Sequence, residues 1–285
     1  MLAIQSRSGL IVAMVAWGGL ALATTGLAQA PASAPSLAPP DIAGQLAFLQ
    51  TAKVVANRPI GKGVTGARRI TLSDGVRTHD AAFQSVANES VGQDVPRKLR
   101  QAGEMRFVDH YRYNLAAWRL AQLVGLDYMM PATVERSIGR PGALSWWVDD
   151  VLMDEQERQE TQAAPPGGPL ELARQFARME VFTELVRDTD RNKGNVVFTR
   201  DWRLVMLDFT RAFRLRKELQ APSQLNSCDR ALLGRLRALT PAAVKQAVQT
   251  HLTGGEVAAL MARRDRIVAR FDQLIAQRGE AGVLY

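Results

Sequence analysis

The stretch from Arg187 to Arg214 constrains the fold of this chain more than any other. It reads RDTDRNKGNVVFTRDWRLVMLDFTRAFR, and it sets Asp190, Asn195 and Asp208 around two short apolar runs. The runs are residues 196–198 and 204–207, with a polar turn at 200–201. Two apolar runs joined by a short turn predict a β-hairpin. Because a hairpin folds its ends together, we expect Asn195 and Asp208 to lie side by side.

The chemistry of these three side chains predicts a magnesium site. Carboxylate and amide oxygens are hard ligands suited to Mg²⁺, and Asp190 lies one loop away as a candidate base. The alternative is a solvated polar turn beside a buried hairpin, which any single Asp would favour. The ordered set of three is harder to explain in that way.

The first forty residues have the pattern of an export signal and a linker. Arg7 is the only charged residue before an apolar run from Leu10 to Leu22, and Ala28-Gln29-Ala30 offers a small-x-small cleavage site. We therefore predict a signal peptide at residues 1–30, an extended Pro/Ala/Ser linker at 31–40, and an exported, periplasmic or secreted protein. An uncleaved anchor is the alternative. No later stretch is long and apolar enough to predict a transmembrane span in the mature chain.

Composition limits the class of protein and its partners. The chain has 285 residues, of which 47% are hydrophobic and 22% charged, enough for one two-lobed domain or two small ones. Its formal charge of +8 favours anionic partners. Zinc-finger spacings and interleaved aromatic and basic residues are missing from the sequence, so nucleic acid is not an expected partner. Cys228 is alone, which rules out an internal disulfide.

The first half of the chain is predicted to be rich in strands. A helix is expected from Asp41 to about Ala56, a glycine-rich segment follows at 61–66, and residues 88–107 are predicted to form a polar loop. The remaining elements are strands at 69–72, 81–86, 133–136 and 143–148 and a helix at 109–124. A strand after the glycines argues against a dinucleotide-binding fold and suits a flap over phosphates. An ordinary flexible loop is the alternative for these glycines.

The second half is predicted to be mostly helical. The Pro/Gly stretch at 163–168 is the best internal boundary, and helices are expected at 170–186, 228–239, 240–252 and 253–277. This pattern predicts an N-lobe at 41–160 and a C-lobe at 161–285, with a cleft near the boundary. The predicted fold class is therefore α+β.

In this order of elements, the chain resembles the protein-kinase-like superfamily. The intervals Asp190 to Asn195 to Asp208 are similar to those of the kinase catalytic loop and its metal-binding Asp, with Asp208-Phe209-Thr210 where kinases carry Asp-Phe-Gly. Asp190-Arg191-x-x-x-Asn195 resembles the phosphatidylinositol-kinase and HipA variants. Residues 113–120, 125–126 and 131–134 are similar to HipA-like kinases and to the secretory-pathway four-jointed casein kinases. The resemblance covers about residues 45–215 and implies a two-lobed kinase-like fold.

The resemblance also implies roles for individual residues. Asp190 would orient or deprotonate the acceptor hydroxyl, and Asn195 and Asp208 would hold Mg²⁺ or Mn²⁺ against ATP. The residues that would cover or contact the nucleotide are Gly61, Lys62, Gly63, Gly66 and Gln84.

Two positions depart from the kinase pattern together. Gln84 stands where kinases have a strand lysine, and Asn114 stands at the position of its helix glutamate. A Gln–Asn hydrogen bond would hold the helix but bring no positive charge to the phosphates. We therefore consider Lys62 or Arg77 as the replacement cation, with a solvated loop lysine as the alternative for Lys62.

Two functions follow from these patterns. The first is an atypical kinase-like phosphotransferase that moves the ATP γ-phosphoryl group to a hydroxyl of a protein, lipid or small molecule. The second is an exported pseudokinase, a nucleotide-binding or regulatory module without transfer activity. A nucleotidyl transferase and a binding protein without a nucleotide site are lesser alternatives.

Overall fold

The structure is a computed structural model that describes residues 41–61, 66–101, 103 and 105–285, without the side chains of residues 98 and 99. These residues belong to one compact unit. The predicted signal peptide and linker, as well as Lys62 and Gly63, lie outside the described residues. Among the described residues, no helix is long and apolar enough to cross a bilayer.

The chain begins with a short helix followed by an edge strand. Helix α1 spans Ile42–Thr51, and the Asp41 carboxylate caps it by accepting a hydrogen bond from the Gly44 N–H at 2.8 Å. Strand β1, Lys53–Pro59, follows at once and is exposed along its whole length. The prediction of a helix to about Ala56 was therefore wrong at its C-terminal end. Val54 and Val55 favour a strand, and this strand gains its hydrogen bonds by pairing with β2.

A five-stranded antiparallel sheet forms the first half of the fold, in the order β1-β2-β3-β7-β6. Four of its strands were predicted from the sequence, and the structure contains them. Ile70 and Leu72 on β2 and Ala81 and Phe83 on β3 are buried on one face. The strands are β2 (Arg68–Ser73), β3 (Thr78–Gln84), β6 (Thr133–Ile138) and β7 (Arg140–Trp146).

Residues 88–107 are not the predicted polar loop. They contain most of a separate β-hairpin, in which β4 (Ala87–Val91) pairs with β5 (Arg106–His110), with the short helix α2 (Arg97–Gln101) between them. Strand β4 was not predicted from the sequence, because its residues are mostly polar and exposed. Since β5 takes residues up to 110, the following helix begins later than predicted.

That helix, α3, crosses the middle of the fold. It spans Arg112–Val124 and ends at Gly125, whose φ of 71° is the left-handed conformation expected of a terminal glycine. Trp118, Leu120 and Ala121 are completely buried on it. The helix therefore sits in the core, where it joins the sheet to the elements that follow.

The second half is built on a small sheet and a set of helices. The predicted hairpin is present as β9 (Val196–Thr199) and β10 (Leu204–Met206), and β8 (Val151–Asp154) pairs with β9 to give a three-stranded sheet. The predicted division into lobes at residue 160 stays a prediction. The helices are α4 (Glu155–Thr161), α5 (Pro169–Val186), α6 (Arg230–Ala238), α7 (Pro241–Val248) and α8 (Gly254–Arg278).

Candidate functional site

A cavity of about 460 Å³ lies between the five-stranded sheet and the β9–β10 hairpin. Ala82 and Gln84 line it from the sheet, and Asn195 and Asp208 line it from the hairpin. We call it the central cavity. Gly61 and Gly66 flank the β1–β2 connection and are exposed, whereas their neighbours Ile60 and Ala67 line the cavity.

The hairpin brings Asn195 and Asp208 to one end of the cavity. Val196 pairs with Met206, and the Leu207 N–H donates to the Asn195 carbonyl at 2.9 Å. Asp208 is the next residue, so the two candidate ligands emerge side by side, as expected from the sequence. The role of these residues as metal ligands stays a prediction.

The donor atoms of this pair fit a hard divalent cation. The Asn195 Nδ2 donates to the Asp190 carbonyl at 3.1 Å, and its amide oxygen has no partner within the described part of the chain. The Asp208 Oδ1 accepts from the N–H and hydroxyl of Thr210, at 3.1 and 2.9 Å, whereas Oδ2 has no partner among the described residues. The described part of the chain holds no group of three or more His, Cys, Asp or Glu suited to a metal. Further ligands would thus be phosphate oxygens and water, as is usual for Mg²⁺ beside phosphates.

Asp208 has a strained backbone. Its φ of 53° lies in the left-handed region, which costs a residue other than glycine about 1–2 kcal/mol. Its hydrogen bonds to Thr210 are local and support this conformation. Strain of this kind is concentrated at functional sites, so it agrees with a binding role for Asp208.

Arg191 fixes the base of the hairpin. Its guanidinium donates to the carbonyls of Asn195 at 2.9 Å and Asp208 at 3.2 Å and forms an ion pair with the fully buried Asp188 carboxylate. It also lies over the Phe209 ring, 4.2 Å from its centroid. One buried cation therefore ties together the loop that carries Asp190 and both candidate metal ligands. From the sequence, Arg191 was recognised only as part of the motif from Asp190 to Asn195.

Asp190 stands beside the central cavity rather than in its lining. The Arg211 Nη1 donates to its Oδ2 at 2.9 Å, and the Arg211 Nε donates to the Asp109 Oδ2 at 2.8 Å. Burial alone would lower the pKa of Arg211. Its hydrogen bond to Asp109 outweighs burial, so the pKa of Arg211 lies above its ordinary value. Arg211 therefore stays charged and bridges the two carboxylates. This bridge was not predicted from the sequence.

The two positions that depart from the kinase pattern are in contact. The Asn114 Nδ2 donates to the Gln84 Oε1 at 2.6 Å, and the Asn114 Oδ1 accepts from the Phe209 N–H at 2.7 Å. Asn114 is buried at 5% exposure, so both bonds are shielded from water. A neutral amide chain thus connects β3, α3 and the segment after Asp208. The Gln–Asn hydrogen bond considered from the sequence is present.

Of the two cations considered as replacements, Arg77 is excluded by its position. It lies in the turn that connects β2 to β3, at the opposite end of β3 from Gln84. The strand between them is about 20 Å long at ~3.3 Å per residue, beyond the reach of an arginine side chain. The hypothesis for Arg77 was therefore wrong. Lys62 stays a prediction, since it lies outside the described residues.

The cavity side of the sheet carries two arginines that the sequence analysis missed. Arg69 faces the same side as Ala82, its partner across the strands, and it shares the Asp80 carboxylate with Arg58. Burial alone would raise the pKa of Asp80, but hydrogen bonds from Thr71 and Arg69 lower it below its ordinary value. Two cations and one carboxylate leave a net positive charge. The alternation at 69–72 was the available signal, because buried Ile70 and Leu72 put Arg69 on the other face.

The connection after β7 forms another wall of the central cavity. Trp147, Val148 and Asp149 line it, and Arg69 lies 4.2 Å from the Trp147 ring centroid. Trp146 is buried and stacks on His79, with 3.7 Å between the ring centroids. Within the described residues the Val148 N–H has no hydrogen-bond partner. It is therefore available to a flat, hydrogen-bonding ligand.

A second anchor holds α3 from the opposite side. The fully buried Glu256 carboxylate, at the start of α8, accepts from the Tyr113 hydroxyl at 2.5 Å and from Arg112 at 3.2 Å. Its other oxygen accepts from the Thr253 N–H at 2.7 Å, which completes a capping box. Burial, followed by the charge of Glu256, raises the pKa of Tyr113, so the hydroxyl remains a donor. The position of α3 thus depends on the C-terminal helix.

The lone cysteine is not part of a site. Cys228 is completely buried, and burial raises the pKa of its thiol to about 12. The group stays protonated at neutral pH and is no nucleophile.

Comparison with known proteins supports the fold. No protein-family model matches the sequence, and no curated protein sequence matches it. Among solved structures, the chain is similar to a Golgi casein kinase, with a TM-score of 0.62 and 12% identity over 85% of this chain and 78% of that one. The chain is also similar to hydra Fam20 with sugar. The TM-score is 0.63, and the identity is 13% over 84% of this chain and 90% of that one.

A further similar structure is the Golgi casein kinase with Mn/ADP bound. Its TM-score is 0.61, with 13% identity over 85% of this chain and 78% of that one. Identities this low establish the fold alone. The chain has a two-lobed protein-kinase-like fold, as these structures do.

Proposed function

We propose that this protein is an atypical kinase-like phosphotransferase that moves the ATP γ-phosphoryl group to a hydroxyl acceptor with Mg²⁺ or Mn²⁺. The observation that carries the proposal is the pair Asn195 and Asp208, each with an uncommitted oxygen at one end of the central cavity. The similar Golgi casein kinase solved with Mn/ADP supports a nucleotide and a metal as ligands.

The roles of the residues follow from their positions. Asn195 and Asp208 would hold the cation, which would neutralise charge on the phosphates. The Val148 N–H and the Trp147 side chain would receive the adenine base, and the glycine-rich segment at 61–66 is predicted from its sequence to cover the phosphates. Gln84 positions α3 through Asn114 rather than providing charge.

Asp190 is the candidate base. The acceptor hydroxyl oxygen forms a bond to the γ-phosphorus, the bond from phosphorus to the ADP oxygen breaks, and the hydroxyl proton passes to Asp190. Arg211 donates to Asp190 Oδ2, and the exposed Asn192 donates to Oδ1 at 3.3 Å. The acceptor therefore displaces the weaker Asn192 bond or the arginine. Arg211 thereby orients the carboxylate.

The proposal includes export and two lobes. Residues 1–30 carry the pattern of a signal peptide, so the mature protein begins near residue 31 and acts outside the cytoplasm. The N-lobe is residues 41–160 and the C-lobe 161–285. The acceptor is a protein, lipid or small molecule, and nucleic acid is not expected.

A second candidate function is a pseudokinase that binds nucleotide without transfer. Two observations favour it. The Gln84–Asn114 pair brings no cation to the cavity, and the Asp190 carboxylate is held by Arg211. Binding is common to both functions, so only transfer separates them.

The test uses the mature protein with γ-labelled ATP and Mg²⁺ or Mn²⁺. Thermal shift reports binding, and label transfer to protein or to added hydroxyl compounds reports activity. We expect metal-dependent stabilisation by ATP that disappears in Asp208→Ala and remains in Asp94→Ala, an exposed control far from the cavity in sequence. Transfer that disappears in Asp190→Asn supports the enzyme, and binding without transfer supports the pseudokinase. No ATP binding with either metal contradicts both.

A further inference from the structure

A second cavity of about 730 Å³ is connected to Asp190 through Arg211. Arg211 is part of its wall and also donates to the Asp190 carboxylate. Its volume is in the range of small-molecule sites, about 300–1,000 Å³. We call it the acceptor-side cavity; its polar lining includes Asn88, Asp109, His110, Tyr111, Arg140 and Arg211.

Asp109 gives this cavity an unmet hydrogen-bond acceptor. The residue is buried at 4% exposure, and its Oδ2 accepts from the Arg211 Nε at 2.8 Å. Its Oδ1 is buried and has no partner among the described residues. Buried carboxylate oxygens normally have a donor. A small turn of the Asp109 side chain would be needed for a ligand hydroxyl to reach this oxygen.

His110 adds a donor. Its Nδ1 accepts from the Arg112 N–H at 3.1 Å, which fixes the neutral tautomer with the proton on Nε2. Burial, followed by the charge of Arg112, lowers the pKa of His110 and keeps it neutral. The Nε2–H has no partner in the described part of the chain and lies on a residue that lines the cavity.

Arg140 provides the uncommitted charge. It stands at the start of β7, is exposed, and makes no hydrogen bond or ion pair with the described residues. Arg211, by contrast, is matched by the two carboxylates of Asp109 and Asp190. The cavity therefore combines an acceptor and a donor with one arginine whose charge is unmatched.

We propose that the acceptor-side cavity binds a small anionic hydroxyl compound, a hydroxy acid or phosphorylated polyol, as the phosphoacceptor. Arg140 binds the anionic group, and the hydroxyl groups lie among Asp109, His110 and Asp190. The transfer to this compound rests on the proposed function, but its binding does not. Binding can therefore be measured without nucleotide or metal.

The experiment is calorimetric titration of the mature protein, free of nucleotide, with glycerate, glycerol 3-phosphate and gluconate. Glycerol and sorbitol are the uncharged matches. We expect at least one anionic compound to bind and neither uncharged compound to do so. In Arg140→Gln the affinity falls about tenfold or more, because a charge-assisted hydrogen bond is lost. Arg119→Gln removes one exposed arginine from α3 and leaves the affinity unchanged.

The outcomes separate this inference from the proposed function. Binding that persists in Asp208→Ala, which disables the metal site, supports the cavity even if transfer fails. If ATP binds but none of the three anions does, the inference is overturned and the proposed function stands. Equal loss in Arg140→Gln and Arg119→Gln reduces the effect to overall charge and overturns the inference. Displacement of the bound anion by an acidic peptide, with transfer to that peptide, assigns the surface to a macromolecular acceptor and overturns it as well.

Discussion

The two sides of the central cavity are held by different forces. On the hairpin side, a buried cation, Arg191, fixes Asp188 and the backbone of Asn195 and Asp208 through contacts close in sequence. On the sheet side, the neutral pair Gln84 and Asn114 connects elements far apart in the chain. The hairpin side can therefore keep its geometry without a charged pair at the positions of Gln84 and Asn114. Activity depends on whether the neutral side supports transfer.

The largest expected effect comes from breaking the charged side. Arg191→Met leaves the buried Asp188 carboxylate without its cation, and we expect the free energy of unfolding to fall by about 3–5 kcal/mol. Urea denaturation measures it. Arg200→Met, which removes an exposed arginine in the same hairpin, should change stability little. Adding Asp188→Asn to Arg191→Met should recover part of the lost stability, because it removes the unpaired buried charge. Equal stability of the two arginine variants would contradict the role of Arg191.

Breaking the neutral side should cost less. Asn114→Leu leaves the buried Phe209 N–H and the Gln84 oxygen without partners, with an expected loss of about 2 kcal/mol. Gln84→Met keeps the bond from Phe209 to Asn114, so its loss should be about 1 kcal/mol. A double-mutant cycle in urea separates the two bonds. A Gln84 variant less stable than the Asn114 variant would contradict the bridging role of Asn114.

Restoring a charged pair tests whether the neutral side limits transfer. In Gln84→Lys with Asn114→Glu, a lysine faces the cavity and the glutamate can still accept from the Phe209 N–H. If the protein transfers phosphoryl groups, we expect kcat to rise about tenfold, less than the roughly 100- to 1,000-fold effect of one preorganised donor, because the introduced pair is not optimised. Single-turnover label transfer measures it, with Gln84→Lys alone as the control. An unchanged or lower rate in the double variant would show that another cation already acts there.

The smallest expected effect is a pH dependence of stability. Burial is the main cause that lowers the pKa of both His110 and His251, so each binds protons less readily in the folded state than in the unfolded chain. Their stabilising contribution is therefore present above about pH 6.5 and is lost as the pH falls through their lowered values. Solvent screens both partly exposed groups, so the sum should stay below about 1 kcal/mol. Melting temperatures at pH 7.5 and 5.5 should differ less in His110→Gln/His251→Gln than in the native sequence; an equal difference would contradict this assignment.

Local patterns allowed much of this architecture to be predicted. The β9–β10 hairpin, strands β2, β3, β6 and β7 and the C-terminal helices carry their own periodicity or caps. Strands β1 and β4 do not, because both are largely exposed and their stability comes from the strands they pair with. Propensity is a weak guide for such strands.

The candidate site divides in the same way. The positions of Asn195 and Asp208 follow from a hairpin, so sequence sufficed to place them together. The bridges made by Arg211 and Glu256 join distant parts of the sequence. Arg211 is 102 residues from Asp109, and Glu256 is 143 residues from Tyr113. No local pattern encodes such contacts, and they were found only in the folded chain.

The contact between Glu256 and Tyr113 has a consequence for synthesis. During synthesis, α3 is made long before α8. Arg112 and Tyr113 therefore lack their hydrogen-bond partner until Glu256 has been added to the chain. Until then α3 can pack on β6 and β7 and keep its amide link to Gln84 and the Asp208 segment, but its N-terminal end lacks its anchor. A chain still being made should therefore be a poor nucleotide binder, and a protein exported in extended form would complete its site only after it has left the cytoplasm.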